Sequence, residues 1–160
     1  MNIEVFLPGL SKSVLISEDK FGRVMSLTGR RFLIISGAIR FQFKSKTVSL
    51  SRYVIGCPRN RCVDHRNHNQ FDLSNENLRI ASYSQNGANR IKNKGKLSSQ
   101  FKGVDFYIRN NKWRSQILVK GKKIHLGYFS SEVDAAIAYN NAAIRYFDKF
   151  AHLNTLPDGK

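Results

Sequence analysis

One stretch of this sequence concentrates side chains able to do chemistry near neutral pH. From Val63 to Arg90 it reads VDHRNHNQFDLSNENLRIASYSQNGANR, with Asp64 beside His65, Asn77 opening an Asn-Leu-Arg element and Asn86 following Gln85. An imidazole near its unperturbed pKa accepts a proton at neutral pH, so His65 suits a general base that activates water. The carboxylate of Asp64 and the side-chain carbonyl of Asn86 are hard oxygen donors, suited to one divalent ion, Mg2+ or Mn2+. A base for water, and a cation for the charge that grows on phosphate and leaving oxygen, are what phosphodiester hydrolysis needs. Each residue also has a plain structural reading: Asp64 as a turn former, His65 as a partly buried hydrogen-bonding group, and Asn75, Asn77, Asn86 and Asn89 as turn and cap residues. Arg79 fits a phosphate contact and a surface ion pair equally well.

Charge names the class of partner. Twenty-seven Lys and Arg against 11 Asp and Glu leave a formal net charge of +16 on 160 residues, and such an excess attracts a polyanion. It is unevenly spread: residues 90–125 hold eleven Lys or Arg and one acidic residue, Asp105. No basic amphipathic stretch carries the apolar Trp- or Leu-rich face that interfacial membrane binding requires, so nucleic acid is expected in place of a lipid surface. No apolar run approaches the ~18 residues of a membrane span. The N-terminus lacks the pattern of a secretory signal, so a cytoplasmic protein is expected. Cys57 and Cys62 in such a compartment do not predict a disulfide. With His65 and His68 they approach a Cys2His2 set, but its halves lie closer together than zinc sites usually allow, and zinc is not expected.

The elements that must position these residues read as α+β. Up to about Leu50, short β-rich runs such as Val14-Leu15-Ile16, Arg23-Val24-Met25, Phe32 to Ile35 and Ile39 to Phe43 are punctuated by Gly22, Gly29 and Gly37, which predicts a small antiparallel sheet. Residues 90–100, RIKNKGKLSSQ, have little to bury and read as a basic linker. Phe101 to Tyr128 holds three strand-like runs with turn signals at Asn110-Asn111 and Lys120-Gly121, a three-stranded meander. Ser131, with Asp134 three residues on, suits a helix N-terminus, and Val133, Ala136, Tyr139, Ala143 and Phe147 then share one face. Strand alternation sends Trp113, Ser115, Ile117, Val119, Ile124 and Leu126 onto that helix and Arg114, Gln116, Leu118, Lys123 and His125 outward. Domains are expected at 1–89, with the chemical motif at 51–89, and at 101–160.

The ordered set Asp64-His65, Asn77-Leu78-Arg79 and Gln85-Asn86 resembles the HNH endonuclease family, in the phage and mobile-element subgroup whose last His is replaced by Asn. The resemblance implies a ββα-metal core of the His-Me finger kind over 51–89. His65 and Asn77 are then the catalytic pair, with Asn77 fixing the loop that orients His65, and Asp64 and Asn86 are the metal ligands. The chain departs from the family at Ser51, where a His often stands before Arg, and at His68, in a loop usually carrying Gly or a small polar residue.

Residues 101–154 resemble the plant Apetala-two/ethylene-response-factor DNA-binding domain, on the landmarks FKGV at 101–104, KWRSQI at 112–117, HLGYF at 125–129, DAAIAYNNAA at 134–143 and AHLN at 151–154. The resemblance implies that the outward sheet face enters the major groove, where Arg and Lys favour guanine and Gln reads adenine. Arg114 and Gln116 are the expected base readers, His125 shares their face, and Lys102, Arg109, Lys112 and Lys123 are expected on phosphate. Asp105 stands where the plant domains commonly carry Arg, and His125 where they carry Trp, so their target sequence does not transfer.

Together these features predict a site-specific, homing-type DNA endonuclease acting on double-stranded DNA as a monomer, with pairing of two copies on DNA left open. The competing reading is a non-catalytic, sequence-specific DNA-binding regulator that retains the scaffold, and a third is an RNA-binding protein. No obligatory protein partner is expected.

Overall fold

The computed structural model describes residues 1–27, 29–92 and 98–157, and of Pro8 the backbone only. It is an α+β chain in two compact units, Met1–Tyr83 and Ser84–Lys160.

In the first unit, β1 (Asn2–Leu7) and β2 (Lys12–Ser17) form an antiparallel pair, followed by the short α1 (Phe21–Met25). A second antiparallel meander comprises β3 (Phe32–Ile35), β4 (Ala38–Phe43) and β5 (Lys46–Ser49). Next come α2 (Leu50–Ile55), stopped by Gly56 at φ 65°, and β6 (Cys62–His65). A left-handed Gly is the usual device for ending a helix without penalty. The short β7 (Asp72–Leu73) lies parallel beside β2, and β8 (Leu78–Ala81) pairs antiparallel with β6.

Alternation explains the core. Along β4, Ile39 and Phe41 are buried while Gln42 is exposed. Along β2, Val14 and Ile16 are fully buried. They meet Leu7, Leu50, Val54, Leu73 and Leu78 in one apolar cluster. Removing such side chains from water, at ~25 cal/mol per Å2 of apolar surface, drives the unit's folding.

Two expectations for the N-terminal half are corrected. Arg23-Val24-Met25 is not a strand but part of α1, which turns Val24 alone of the three into the core; an apolar run this short has no periodicity to separate the alternatives. The single small sheet is two, because β7, more than fifty residues downstream, is the third strand beside β2.

The second unit begins within α3 (Tyr83–Ala88). Its sheet is the expected meander of β9 (Val104–Tyr107), β10 (Lys112–Val119) and β11 (Lys122–Phe129). Lys120 and Gly121, both at positive φ, make the tight turn between β10 and β11, as two-residue hairpins require. The helix α4 (Glu132–Phe147) packs on this sheet. Its N-terminus is capped as expected: Ser131 Oγ accepts from the backbone N–H of Val133 and Asp134. Ala135, Ala136, Tyr139, Ala143 and Phe147 are buried, and Phe101, Val104 and Leu156 complete the core. Trp113 packs against that core, edge-on to Phe106 at 5.0 Å between ring centroids.

Side-chain amides close the unit. Asn154 Oδ1 accepts from the Lys102 N–H at 2.6 Å while its Nδ2 donates to the Lys102 carbonyl at 3.1 Å. Asn140 in turn accepts from the Asn154 N–H at 2.8 Å and donates to its carbonyl at 3.0 Å. Of the basic segment 90–100, residues 93–97 lie outside the described residues. On either side, Lys92 Nζ donates to the carbonyls of Phe101 and Val104, and Ser98 Oγ accepts from the Phe106 N–H. These parts are bonded into the second unit.

Candidate active site and nucleic-acid interface

In the first unit, register brings Asp64 opposite Arg79 and His65 opposite Leu78 on the β6–β8 ladder. Arg79 Nε donates to Asp64 Oδ2 at 2.7 Å, and both side chains are almost wholly buried. The ion-pair reading of Arg79 is therefore the observed one, but the pair is interior. Removing either member would leave an uncompensated buried charge, which typically costs ~3–5 kcal/mol.

His65, 7% exposed, ends β6. Burial pushes its imidazole below the usual value, against the opposing pull of the Asp64 and Asp72 carboxylates. Burial thus favours the neutral ring, the form that accepts a proton.

The loop between β6 and β8 is organised by Asn77, which is 4% exposed. Its Oδ1 accepts from the Asn67 N–H at 2.9 Å, its Nδ2 donates to the Asp72 carbonyl at 2.7 Å and the Asn69 carbonyl at 3.4 Å, and its own carbonyl accepts from the Arg66 N–H. One amide thus ties the chain leaving His65 to the chain entering β7. Asn67, Asn69 and Asp72 each accept from the N–H two residues on, the local turns that Asn and Asp form readily. Burial alone would raise the Asp72 carboxyl, but hydrogen bonds from Ser74 and Asn67 hold it below the usual range. Asn75 bonds back to β2 and to Asp19. His68 is exposed at φ 63°, its N–H donating to the His65 carbonyl.

Asn77→Ala should lower stability by about 1–3 kcal/mol, because it removes at once the partner of one loop N–H and two loop carbonyls that are part-buried. Urea unfolding of the whole chain measures this, and a loss below ~0.5 kcal/mol would deny Asn77 its anchoring role.

The structure gathers Asp64, His65 and Asn77 within the first unit. Asn86 belongs to the second, on α3, which is held there by bonds from the Lys120 N–H to Ser84 Oγ and from the His152 N–H to the Ala88 carbonyl. In chemical type the Asp64 carboxylate suits a hard dication, since Mg2+ is commonly held by one or two carboxylates and completes its shell with water and substrate phosphate. Among the described residues, no group of three or more His, Cys, Asp and Glu gathers as a metal site. Cys57 and Cys62 are free thiols, and burial raises the Cys62 pKa.

In the second unit, the outer sheet face forms cross-strand rows: Asp105, Arg114 and Tyr128 in one, Gln116 and His125 in the next. Arg114 donates to Asp105 through Nε at 3.2 Å and Nη2 at 2.7 Å, and its guanidinium lies over the Tyr107 ring, 5.0 Å from its centroid. Hydrogen bonding to Asp105 raises the Arg114 pKa. Gln116 Nε2 reaches the same carboxylate at 3.3 Å. Tyr128 contacts Tyr107 at 5.4 Å and His125 at 4.6 Å between ring centroids.

Tyr107 and Tyr128 were not expected on this face. Ser115 pairs with Gly127 but Gln116 with His125, so Leu126 is an extra residue that reverses parity. Strict alternation from His125 would have sent Tyr128 inward. The bulge is what turns it out, and a Gly at φ 136° beside it is the one sequence signal of it.

Arg109, Lys112 and Lys123 are exposed as expected for phosphate contacts. Lys102 is used otherwise: its Nζ donates to the carbonyls of Ala88 and Arg90, and burial lowers its pKa to about 8. The cation satisfies carbonyls at the end of α3, in place of the phosphate contact expected for it. Among the described residues no helix is long and apolar enough to cross a membrane.

No protein-family model and no solved structure matches the chain. It is 44% identical over 57 residues, 36% of its length, to APETALA2-like protein 2 of Oryza sativa subsp. indica. It is 42% identical over 57 residues to an AP2-like ethylene-responsive transcription factor of Arabidopsis thaliana. Over 94 residues, 59% of its length, it is 33% identical to a protein of Acanthamoeba polyphaga mimivirus named an uncharacterized HNH endonuclease. The matched stretches make up 13% of the rice protein, 12% of the Arabidopsis protein and 47% of the viral one. The chain is thus similar both to AP2-like plant transcription factors and to a viral protein bearing the HNH endonuclease name, in keeping with the fusion read from its motifs.

Proposed function

We propose that this chain is a metal-dependent, site-specific DNA endonuclease: an HNH-type ββα-metal core that cuts, joined to an Apetala-two-like module that reads duplex DNA. The observation carrying the proposal is the buried His65 that follows Asp64 on β6, with its loop tied by Asn77. In the proposed reaction, His65 takes the proton of a water as the water oxygen bonds to phosphorus. The bond from phosphorus to the leaving oxygen then breaks, and that oxygen leaves with a proton from solvent. Asn77 keeps the loop from relaxing and so holds the imidazole in one orientation. Asp64 would hold the divalent ion, Mg2+ or Mn2+, which when bound would neutralise charge on phosphate and leaving oxygen. Arg114, Gln116 and His125 face bases, while Arg109, Lys112 and Lys123 meet phosphates.

A second reading has a specific observation in its favour. Asp64 already balances Arg79, as suits a scaffold that binds DNA as a regulator without turnover. Supercoiled plasmid incubated with the full chain, with Mg2+ or Mn2+ and with EDTA, separates the two. The endonuclease produces nicked or linear DNA only with the ion. Retarded but intact plasmid under every condition selects the regulator.

A further inference from the structure

We infer that Asp105 is a positioning and specificity-determining residue, which locks Arg114 in the pose that reads a guanine in the major groove. The inference rests on the DNA-reading role proposed for this sheet face.

Asp105 is the one acidic residue among the eleven cations of residues 90–125. A carboxylate on a face meant for a polyanion weakens attraction to any phosphate backbone, so general affinity does not explain it. Stability does not either, since Asp105 and Arg114 retain 33% and 30% side-chain exposure and ion pairs this wet contribute little.

Its geometry instead fixes a reader. The carboxylate takes the Nε–Nη2 edge of the guanidinium side-on, and the Tyr107 ring lies against the guanidinium. An arginine is long and has rotamer freedom to lose on binding, and two hydrogen bonds and the ring contact here restrict that freedom beforehand. A guanidinium has five N–H donors in a planar fork. With one edge held by Asp105, the Nη1–Nη2 edge is the one left to donate to two acceptors at once, and among the bases guanine alone offers such a pair, O6 and N7, in the major groove. Because Asp105 Oδ1 is shared with Gln116 Nε2, the same carboxylate sets the spacing between the two expected readers.

The test uses the full chain in EDTA, so that binding is read without cutting, with random-sequence duplex DNA as the probe and sequencing of the bound fraction. The wild-type chain should enrich a motif with a fixed guanine. Asp105→Asn, isosteric with the native side chain, and Asp105→Ala should each lower the preference for that guanine by about tenfold. Retention of non-specific duplex should hold or rise, as one repelling charge is gone. In an Arg114→Ala background, Asp105→Ala should lower the preference for that guanine no further, which a merely structural effect of position 105 would not reproduce. An unchanged guanine preference in both Asp105 variants, or a further loss in the Arg114→Ala background, overturns the inference while leaving the DNA-reading role standing. A wild-type chain that enriches no motif removes that role, and the inference with it.

Discussion

His65→Ala should abolish divalent-dependent DNA cleavage while leaving DNA retention largely intact. General-base catalysis contributes about 10²–10⁴-fold, so single-turnover nicking of plasmid should fall by about that factor. The side chain is buried at the end of β6 in the first unit, whereas the basic sheet face belongs to the second, so mobility shifts at matched salt should change little. The sign of the pH dependence follows from burial: with the imidazole pKa lowered, the base stays unprotonated through neutral pH, and cleavage should decline only as pH drops below the ordinary imidazole range. Cleavage by His65→Ala at the wild-type rate would reject the residue as the base.

Gly103→Ala should strongly destabilise the reading module. Gly103 sits at φ +75°, and a Cβ there would lie 2.0 Å from Cδ2 of Tyr139 and 2.6 Å from the Gln116 carbonyl oxygen. The left-handed backbone alone costs a non-glycine residue about 1–2 kcal/mol, and forcing a methyl into packed surroundings adds roughly 1–3 kcal/mol. The ring cannot step aside easily, because Tyr139 is buried on α4 against the sheet. A loss of about 3 kcal/mol or more should appear in urea unfolding, together with loss of sequence-selective binding. A variant of near wild-type stability would show that the approach of the 103 backbone to α4 is looser than described.

The second unit was the more legible half, and the reason lies in local signals. The Lys120-Gly121 turn, the Ser131 cap and the Ala-rich face of α4 each depend on residues a few positions apart, and each stands where its signal lies. The local structure of residues 64–77 was legible to the same degree: Asp64, His65 and Asn77 are close in sequence, and Asn77 spends its amide on the loop they share. What escaped depends on partners remote in the chain or on parity. The pairing of β7 with β2 joins Leu73 to Ile16, which no window of local sequence contains. The Leu126 bulge reverses which residues of β11 face out, and with it the exposure of Tyr128. Arg79 and Arg114 both looked available to phosphate or base, but only the strand registers disclose the carboxylates opposite them, Asp64 and Asp105. For Lys102, a basic residue in a basic segment, nothing in the sequence distinguishes a cation facing DNA from one satisfying the carbonyls of Ala88 and Arg90.

The central claim is that one chain both reads and hydrolyses duplex DNA, and sequencing of the ends produced from a random-sequence duplex library tests it most directly. With Mg2+ or Mn2+, the wild-type chain should yield ends at a fixed offset from one common motif, and neither EDTA nor His65→Ala should yield them. Ends no more frequent than in the His65→Ala control, from a chain that still retains the library, would contradict hydrolysis and leave a DNA-binding protein alone.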